Sequence, residues 1–320
     1  MMNVEFEEYL NYLKNILHYS DKTISSYYFD LKDFSSYLVK NNINVDECVY
    51  QDIQDYMNSL KIGGYKVTSI NRKIVCLRSF YKYYTNEKNP NMDNPMITYS
   101  TLKTPSRLPK DLFKEQVKVL LIPNEKKEIY AIRNQCIILL LLNTGMRVSE
   151  ITNLDLLDVD IEEQTIRVFG KGSKERMVFF MPSVIPYLNK YLNDIRNDLL
   201  LDKNDQAFFI GSKGTRITSR AIQQMLNNRA SQANPPFKVT PHMLRHTFAT
   251  SLLNNDVDLK IVQDLLGHSS LSTTQIYTHV SKARLQKVYA ENHPMAKALN
   301  KIKEENWYGF KHFKTRKRSL

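Results

Sequence analysis

Residues 240–280, TPHMLRHTFATSLLNNDVDLKIVQDLLGHSSLSTTQIYTHV, constrain the fold of this chain most, because they predict three short helices with defined ends. The first helix opens with His242 and Arg245, whose spacing of three residues places imidazole and guanidinium on one helical face. The second carries an apolar stripe and ends at Gly267, a left-handed stop that turns His268 back toward the preceding helix. A phosphate would suit the pair formed by His242 and Arg245.

The third predicted helix begins at residues 272–275, STTQ, which match a capping box. Tyr277 therefore falls in the first turns of a short helix and is exposed unless another element covers it. As one of 19 tyrosines, it carries no meaning by its identity alone. A phenol with a pKa of about 10 attacks poorly unless a base and clustered cations help it to ionise.

Three motifs of this stretch, HMLRHTFAT, LLGH and TTQIYTH, closely resemble the catalytic box of the tyrosine recombinase (phage integrase) family, in particular that of its bacterial Xer-type members. The family shows HxLRHxFAT, LLGH and TxxYTH in the same order and at the same separation. Upstream, TGMRVSEITNL resembles the family's TGxRxSEL box, and GKGSKER resembles its mobile lysine hairpin. The resemblance is strong over residues 143–290 and weaker over the N-terminal part.

The resemblance implies a full set of site residues and a reaction. The implied catalytic residues are Arg147, Lys171, His242, Arg245, His268 and Tyr277, with Glu150 supporting the framework of the site. Attack by Tyr277 on a backbone phosphate would leave a 3′-phosphotyrosyl bond and a free 5′-hydroxyl. Because the bond energy is stored in that intermediate, rejoining the strands needs no ATP.

Phosphodiester cleavage needs a nucleophile, positive groups on the non-bridging oxygens and an acid for the leaving oxygen. Arginine suits the second task because its planar fork donates two parallel hydrogen bonds and stays charged, and Arg147 and Arg245 are the predicted pair. In the family the hairpin lysine, here Lys171, protonates the leaving 5′ oxygen. Without the resemblance to the family, residue statistics would predict that Arg147 is a solvent-exposed arginine at a helix start and that Lys171 is a solvated lysine at a turn.

The histidines allow two readings. His242 is expected to take the proton of Tyr277 or to hold a phosphate oxygen, and His268 to donate to the same phosphate. His242 and His246 are also spaced like two zinc ligands, but no glutamate stands at position 243 and no cysteine or carboxylate set completes a site. His246 is therefore predicted to be packed and hydrogen-bonded, and no metal or other cofactor is expected.

The balance of charge favours a polyanionic partner. The 320 residues include 45 Lys and Arg against 33 Asp and Glu, a net charge of +12. Ribosome-associated proteins are also basic, but the resemblance implies a double-stranded DNA recombination site as the partner. Three scattered cysteines predict free thiols in a reducing compartment, and the N-terminus has no hydrophobic signal core, so we expect a cytoplasmic protein.

Apolar periodicity predicts four or more helices in the N-terminal part, with a cap at Ser20, a third helix that begins at Asp46 and a stop at Gly63. The predicted fold is mainly α with a small β-hairpin or sheet, arranged as a two-domain, C-shaped clamp. The expected boundaries are 1–88 for a helical core-DNA-binding domain, 89–109 for a proline-containing linker, 110–299 for a catalytic domain with its C-terminal helix, and 300–320 for a basic tail.

Within the catalytic domain, alternation predicts a β-hairpin from residues 164–169 and 175–181. A helix is predicted over residues 184–201, interrupted early by Pro186. The basic tail reads equally well as a solvated segment or as a contact to DNA or a partner.

The family's architecture implies a homotetramer on two sites that exchanges strands in pairs through a Holliday junction, with or without a second recombinase or an activating protein. It also implies that the C-terminal helix, residues 281–299, passes to the neighbouring protomer. Two alternatives stay open, a type IB topoisomerase that relaxes DNA without choosing a site and an inactive DNA-binding regulator. Chromosome-dimer resolution, integration and inversion share one active site, so the sequence does not distinguish these roles.

Overall fold

The computed structural model of the chain describes residues 2–103, 111–123, 125, 127–170, 175–267, 288–289 and 291. The chain divides into two compact units, Met1–Arg107 and Leu108–Leu320. Each unit encloses its own buried apolar residues. Within the described residues, no helix combines the length and the apolar character that crossing a bilayer requires.

Four amphipathic helices form the described part of the N-terminal unit. They are α1 (Val4–Asn15), α2 (Asp21–Lys40), α3 (Tyr50–Ile62) and α4 (Val67–Glu87). The predicted cap is confirmed, because the Ser20 side chain accepts a hydrogen bond from the Thr23 amide at 3.3 Å. The start predicted at Asp46 is wrong: the Asp52 carboxylate accepts from the Val49 amide at 2.9 Å, and this contact sets the first turn of α3.

The core of the N-terminal unit combines aromatic packing with one buried ion pair. Phe6 lies edge-on against Phe80, with ring centroids 4.6 Å apart. The buried ammonium of Lys73 lies 3.1 Å from Asp30 and 2.7 Å from Asp33. Because a buried lysine must stay near its carboxylates, this contact fixes α4 against α2.

The C-terminal unit is built around a helix that is buried on all sides. Its first helices are α5 (Lys114–Leu121), α6 (Glu128–Thr144) and α7 (Val148–Asn153). Every residue of α6 from 131 to 144 is buried, and residues 136–142 are apolar on every face of the helix, as expected for a helix in the core. Gly145 ends α6 with a positive φ of 60°, a conformation that glycine adopts without strain.

A small antiparallel sheet follows α7 in the described chain. Its strands are β1 (Val159–Asp160), β2 (Thr165–Phe169) and β3 (Glu175–Phe179), in the order β1-β2-β3. The predicted hairpin is confirmed in β2 and β3, where Val168 pairs with Arg176 and Phe169 with Glu175. The strand β1 is an addition to the prediction, because two residues give no alternating pattern to read.

The helices that complete the described unit are α8 (Ile185–Lys190), α9 (Arg196–Leu199), α10 (Ser219–Ala230), α11 (Pro241–Leu253) and α12 (Leu259–Leu266). The helix predicted over residues 184–201 is confirmed from Ile185 to Leu199, and the structure adds a π-helical turn (Tyr191–Ile195) that joins α8 to α9. The wider turn seats Tyr191 in the core. There its hydroxyl donates to the Phe208 carbonyl and accepts from the Ile210 amide, both at 3.0 Å.

Candidate active site

Arg245 is buried at the junction of three helices. The Thr240 side chain caps α11 by accepting from the Met243 amide at 3.2 Å, which sets the phase that points Arg245 inward. The Arg245 guanidinium donates to the carbonyl oxygens of Gly145 and Leu266, each at 2.7 Å. Both carbonyls lie at helix C-termini, where unpaired acceptors favour a cation. One arginine therefore holds the ends of α6 and α12 against α11.

Arg147 lies at the start of α7 with its guanidinium open to solvent, and its side chain is 43% exposed. Its backbone amide donates to Glu150 Oε2 at 2.7 Å, and its Nη1 donates to Glu150 Oε1 at 2.9 Å. No other described residue bonds to this guanidinium. Its remaining N–H groups are therefore available to an anion.

Glu150 is a buried carboxylate that accepts four hydrogen bonds. Two come from Arg147, and two from Arg176, whose Nη1 and Nη2 lie 2.8 Å from Oε1 and Oε2 respectively. Burial raises the pKa of Glu150, but the hydrogen bonds and charge of Arg176, with those of Arg147, outweigh burial and hold the pKa below its usual value. The carboxylate is therefore charged at neutral pH, and both of its oxygens are fully used.

Positive charge exceeds negative charge in this cluster. Arg147, Arg176 and Arg245 surround the single carboxylate of Glu150. Burial lowers the pKa of Arg245 to about 10; the charges of Arg147 and Arg176 act in the same direction, and that of Glu150 opposes them. Arg245 is still protonated at neutral pH. A bound phosphate would relieve the repulsion between the arginines, so the cluster favours an anionic ligand.

The two histidines of α11 have different surroundings. His242 is exposed in the first turn, three residues before Arg245, and makes no hydrogen bond to any described residue. His246 Nε2 lies 3.2 Å from Asp111 Oδ1, so this histidine has a carboxylate neighbour, but its side chain is 36% exposed and is not packed in the core as predicted. His242 is therefore the histidine of this helix that is open to a ligand.

Three of the predicted catalytic residues, Lys171, His268 and Tyr277, lie outside the described residues, and their positions stay predictions. The described chain flanks two of them: β2 and β3 border the segment that contains Lys171, and Gly267 precedes His268. Among the residues that the structure describes, no group of three or more His, Cys, Asp or Glu side chains is arranged to hold a metal ion.

Two residues near the site were not among the site residues that the sequence predicts. Arg176 occupies an inward position of β3, on the same face as the buried Val178. The alternation of β3 could have predicted this position, because an arginine on the inner face of a strand requires a buried carboxylate partner. Tyr289 is buried, with its ring centroid 6.1 Å from that of Phe179, and no local pattern marks this long-range contact.

Sequence comparisons connect this geometry with known proteins. The model of the phage integrase family matches residues 110–284, and that of the phage integrase N-terminal SAM-like domain matches residues 6–88. Tyrosine recombinase XerD of Staphylococcus epidermidis is 39% identical over 296 residues, which are 92% of this chain and 100% of the relative. Tyrosine recombinase XerD of Staphylococcus aureus is 38% identical over the same shares.

Solved structures show the same fold. The XerH site-specific recombinase in its post-cleavage complex with palindromic difH substrate is 26% identical, with a TM-score of 0.63 over 89% of this chain and 83% of that one. Its pre-cleavage complex gives a TM-score of 0.65 at 24% identity, over 92% and 82%. The expected mainly helical recombinase fold is confirmed, and neither the topoisomerase nor the inactive regulator is favoured. The chain belongs to the phage integrase family and is a site-specific tyrosine recombinase.

Proposed function

We propose that the protein cuts and rejoins double-stranded DNA at recombination sites, with Arg147 and Arg245 holding the scissile phosphate while Tyr277 attacks it. The observation that carries this proposal is the arrangement of two arginines around Glu150. Arg245 is buried and pinned by two carbonyl oxygens, whereas Arg147 is fixed at its backbone and open at its guanidinium. Such preorganised donors stabilise the charge that develops on the phosphate without having to be ordered during the reaction.

The proposed step transfers a phosphoryl group from one oxygen to another. A bond forms between the Tyr277 oxygen and phosphorus while the bond from phosphorus to the 5′ oxygen breaks. The phenolic proton passes to His242, Lys171 supplies a proton to the 5′ oxygen, and His268 donates a hydrogen bond to the phosphate. Because one ester bond replaces another, attack by a 5′-hydroxyl reverses the step without ATP. The roles of Lys171, His268 and Tyr277 follow from the match of their motifs to the family.

Double-stranded DNA is the proposed partner of both units. The net charge of +12 favours a polyanion, and both XerH structures contain difH substrate. In this proposal residues 1–88 bind the core of the site, residues 89–109 connect the domains and residues 110–299 carry the chemistry. The basic segment 300–320 has no assigned role.

Four protomers on two sites are the proposed assembly, with strands exchanged through a Holliday junction. The C-terminal helix would pass to the neighbouring protomer. In the single chain, Tyr289 packs in an apolar cluster of its own unit. If the C-terminal helices were exchanged between protomers, Tyr289 of the neighbouring protomer would make the same contacts in its place. Native mass spectrometry with two site duplexes tests the assembly: four protomers on two duplexes support it, and a complex that stops at two protomers contradicts it.

The nucleophile is tested on a duplex whose sequence the protein itself selects from a random pool. A nick beside the cleavage position releases a short fragment and traps the covalent complex, which a denaturing gel detects. We expect Tyr277→Phe to bind the intact duplex normally but to form no covalent complex, because the attacking oxygen is missing. The control Tyr130→Phe removes a hydroxyl elsewhere in the same unit and should keep covalent capture. Capture by Tyr277→Phe would overturn the proposal.

A further inference from the structure

Arg176 is a buried arginine that the proposed chemistry does not use. It lies on β3 opposite Val168, and its side chain is 8% exposed. Its guanidinium meets the Glu150 carboxylate through two parallel hydrogen bonds, each 2.8 Å long. This fork-to-fork geometry fixes the orientation of both groups more firmly than a single contact would.

We propose that Arg176 is a positioning residue for strand cleavage, acting on Arg147 from one side and on the turn at Gly267 from the other. The inference rests on the proposed function and gives a role to the arginine that ends the GKGSKER motif, for which the resemblance implies none. Arg176 does not touch the phosphate in this proposal. It sets the geometry of the groups that do.

The first connection runs through Glu150. Its carboxylate orients Arg147 by accepting from both the backbone amide and Nη1 of that residue. If the two bonds from Arg176 were lost, the carboxylate would keep only its two bonds to Arg147, and the Glu150–Arg147 pair could shift as a unit. Such a shift would move the Arg147 guanidinium away from the position that the phosphate requires.

The second connection is a close approach between Arg176 and the backbone of Gly267. This glycine has a positive φ of 67° and ends α12. A Cβ placed on it would lie 2.6 Å from Cδ, 2.8 Å from Nε and 3.0 Å from Cζ of Arg176. The Arg176 side chain therefore packs directly against the backbone of Gly267, so a displacement of either one would disturb the other.

Stability alone does not explain a buried arginine here. The Nε of Arg176 is buried and has no hydrogen-bond partner among the described residues, which costs free energy. Replacing a buried ion pair by apolar side chains of similar volume is often neutral or stabilising. The planar guanidinium of Arg176 orients Glu150 and packs against Gly267, and this positioning role explains why an arginine occupies the site.

The first test compares Arg176→Lys with Arg196→Lys, two conservative changes at buried arginines of the same unit. Arg196 donates to the Asp205 and Ala207 carbonyls and takes no part in the cluster. Lysine keeps the charge but loses the fork, so we expect Arg176→Lys to slow covalent capture at saturating protein by about 10- to 100-fold, the cost of misplacing reacting groups by about 1 Å. The half-saturating protein concentration should not change, and folded Arg196→Lys should keep its rate.

The second test compares Gly267→Ala with Gly214→Ala. Both glycines have positive φ, 67° and 77°, and at Gly214 the new Cβ would lie 2.6 Å from Leu201 Cβ. Both variants should lose thermal stability, but only the first displaces Arg176. We therefore expect slow capture in folded Gly267→Ala and a normal rate in folded Gly214→Ala.

The probe in both tests is the nicked duplex of the selected sequence, at a temperature where thermal unfolding shows every variant to be folded. A normal capture rate in Arg176→Lys, or equal losses within either matched pair, would overturn the inference. So would a raised half-saturating concentration at an unchanged rate, which would assign Arg176 to DNA binding. If instead Tyr277→Phe captured DNA, the proposed function itself would fail, whatever the Arg176 variants did.

Discussion

The hydroxyl of Tyr289 donates a 3.0 Å hydrogen bond to the backbone carbonyl of Asn143, 146 residues earlier in the chain. Tyr289 is buried in an apolar cluster with Phe179 and Phe248. Asn143 lies two residues before Gly145, whose carbonyl Arg245 holds. Tyr289 thus packs against the same end of α6 that Arg245 holds.

Loss of the Tyr289 side chain should destabilise the C-terminal unit. We expect Tyr289→Ala to lower the free energy of unfolding by about 3–5 kcal/mol, the usual cost of removing a buried aromatic ring. Tyr289→Phe keeps the ring and loses one hydrogen bond, so its loss should be about 1 kcal/mol. Urea unfolding measures both, with Tyr130→Phe as the control. An unchanged midpoint in Tyr289→Ala would show that Tyr289 does not pack as described.

The helix stop at Gly145 should tolerate no side chain. Its φ of 60° costs an L-residue about 1–2 kcal/mol, and a new Cβ would meet Phe248 and lie 2.9 Å from Leu266 Cδ2. Overpacking of this kind adds about 1–3 kcal/mol. Gly64 is the matched control, because it has a φ of 75° and no atom within 4 Å of the new Cβ. Calorimetry should show a clearly larger loss for Gly145→Ala than for Gly64→Ala, and equal losses would contradict the packing.

Acid should weaken the C-terminal unit through Glu150. Its pKa in the folded protein is lower than in the unfolded chain, where the value is about 4.3. The stabilisation is therefore fully present above the unfolded pKa and is lost as the pH falls through the lower folded pKa. Between neutral and acidic pH, the midpoint of urea unfolding should fall less steeply for Glu150→Gln than for the unsubstituted protein. The exposed Glu115→Gln should behave like the unsubstituted protein, and identical slopes for all three would refute the assignment.

Substitution of the two arginines that are proposed to hold the phosphate should separate effects on stability from effects on catalysis. Arg245→Lys should lose both, because lysine cannot reach the carbonyls of Gly145 and Leu266 while also contacting a phosphate. Arg147→Lys should lose catalysis with little loss of stability, since its side chain is 43% exposed. Loss of one such donor slows the chemical step by about 100- to 1000-fold. Covalent capture and urea unfolding measure the two effects, and a large stability loss in Arg147→Lys would argue against an open guanidinium.

Much of the architecture was predictable because its signals are local. Ser20 capped its helix as expected, and the hairpin strands appeared at the alternating residues. The error at the start of α3 was a choice between two nearby acidic residues, since Asp52 and not Asp46 makes the local contact that begins the helix. The π-turn inside the helix predicted over residues 184–201 was not predicted, and it accompanies contacts of Tyr191 with Phe208 and Ile210, 17 and 19 residues away. In the site, the motifs predicted roles for Arg147 and Arg245, whereas Arg176 ends the GKGSKER motif without a predicted role, and its contact with Glu150 appears only in the structure.

The sequence by itself determined which segments are helical, where the hairpin forms and which family the motifs resemble, because periodicity, caps and motif spacing act over a few residues. Only the tertiary structure decided that Arg176 meets Glu150 beneath Gly267 and that Tyr289 reaches Asn143. These contacts join residues that are far apart in the chain. They depend on how the helices and the sheet pack against one another, and no local pattern specifies that packing.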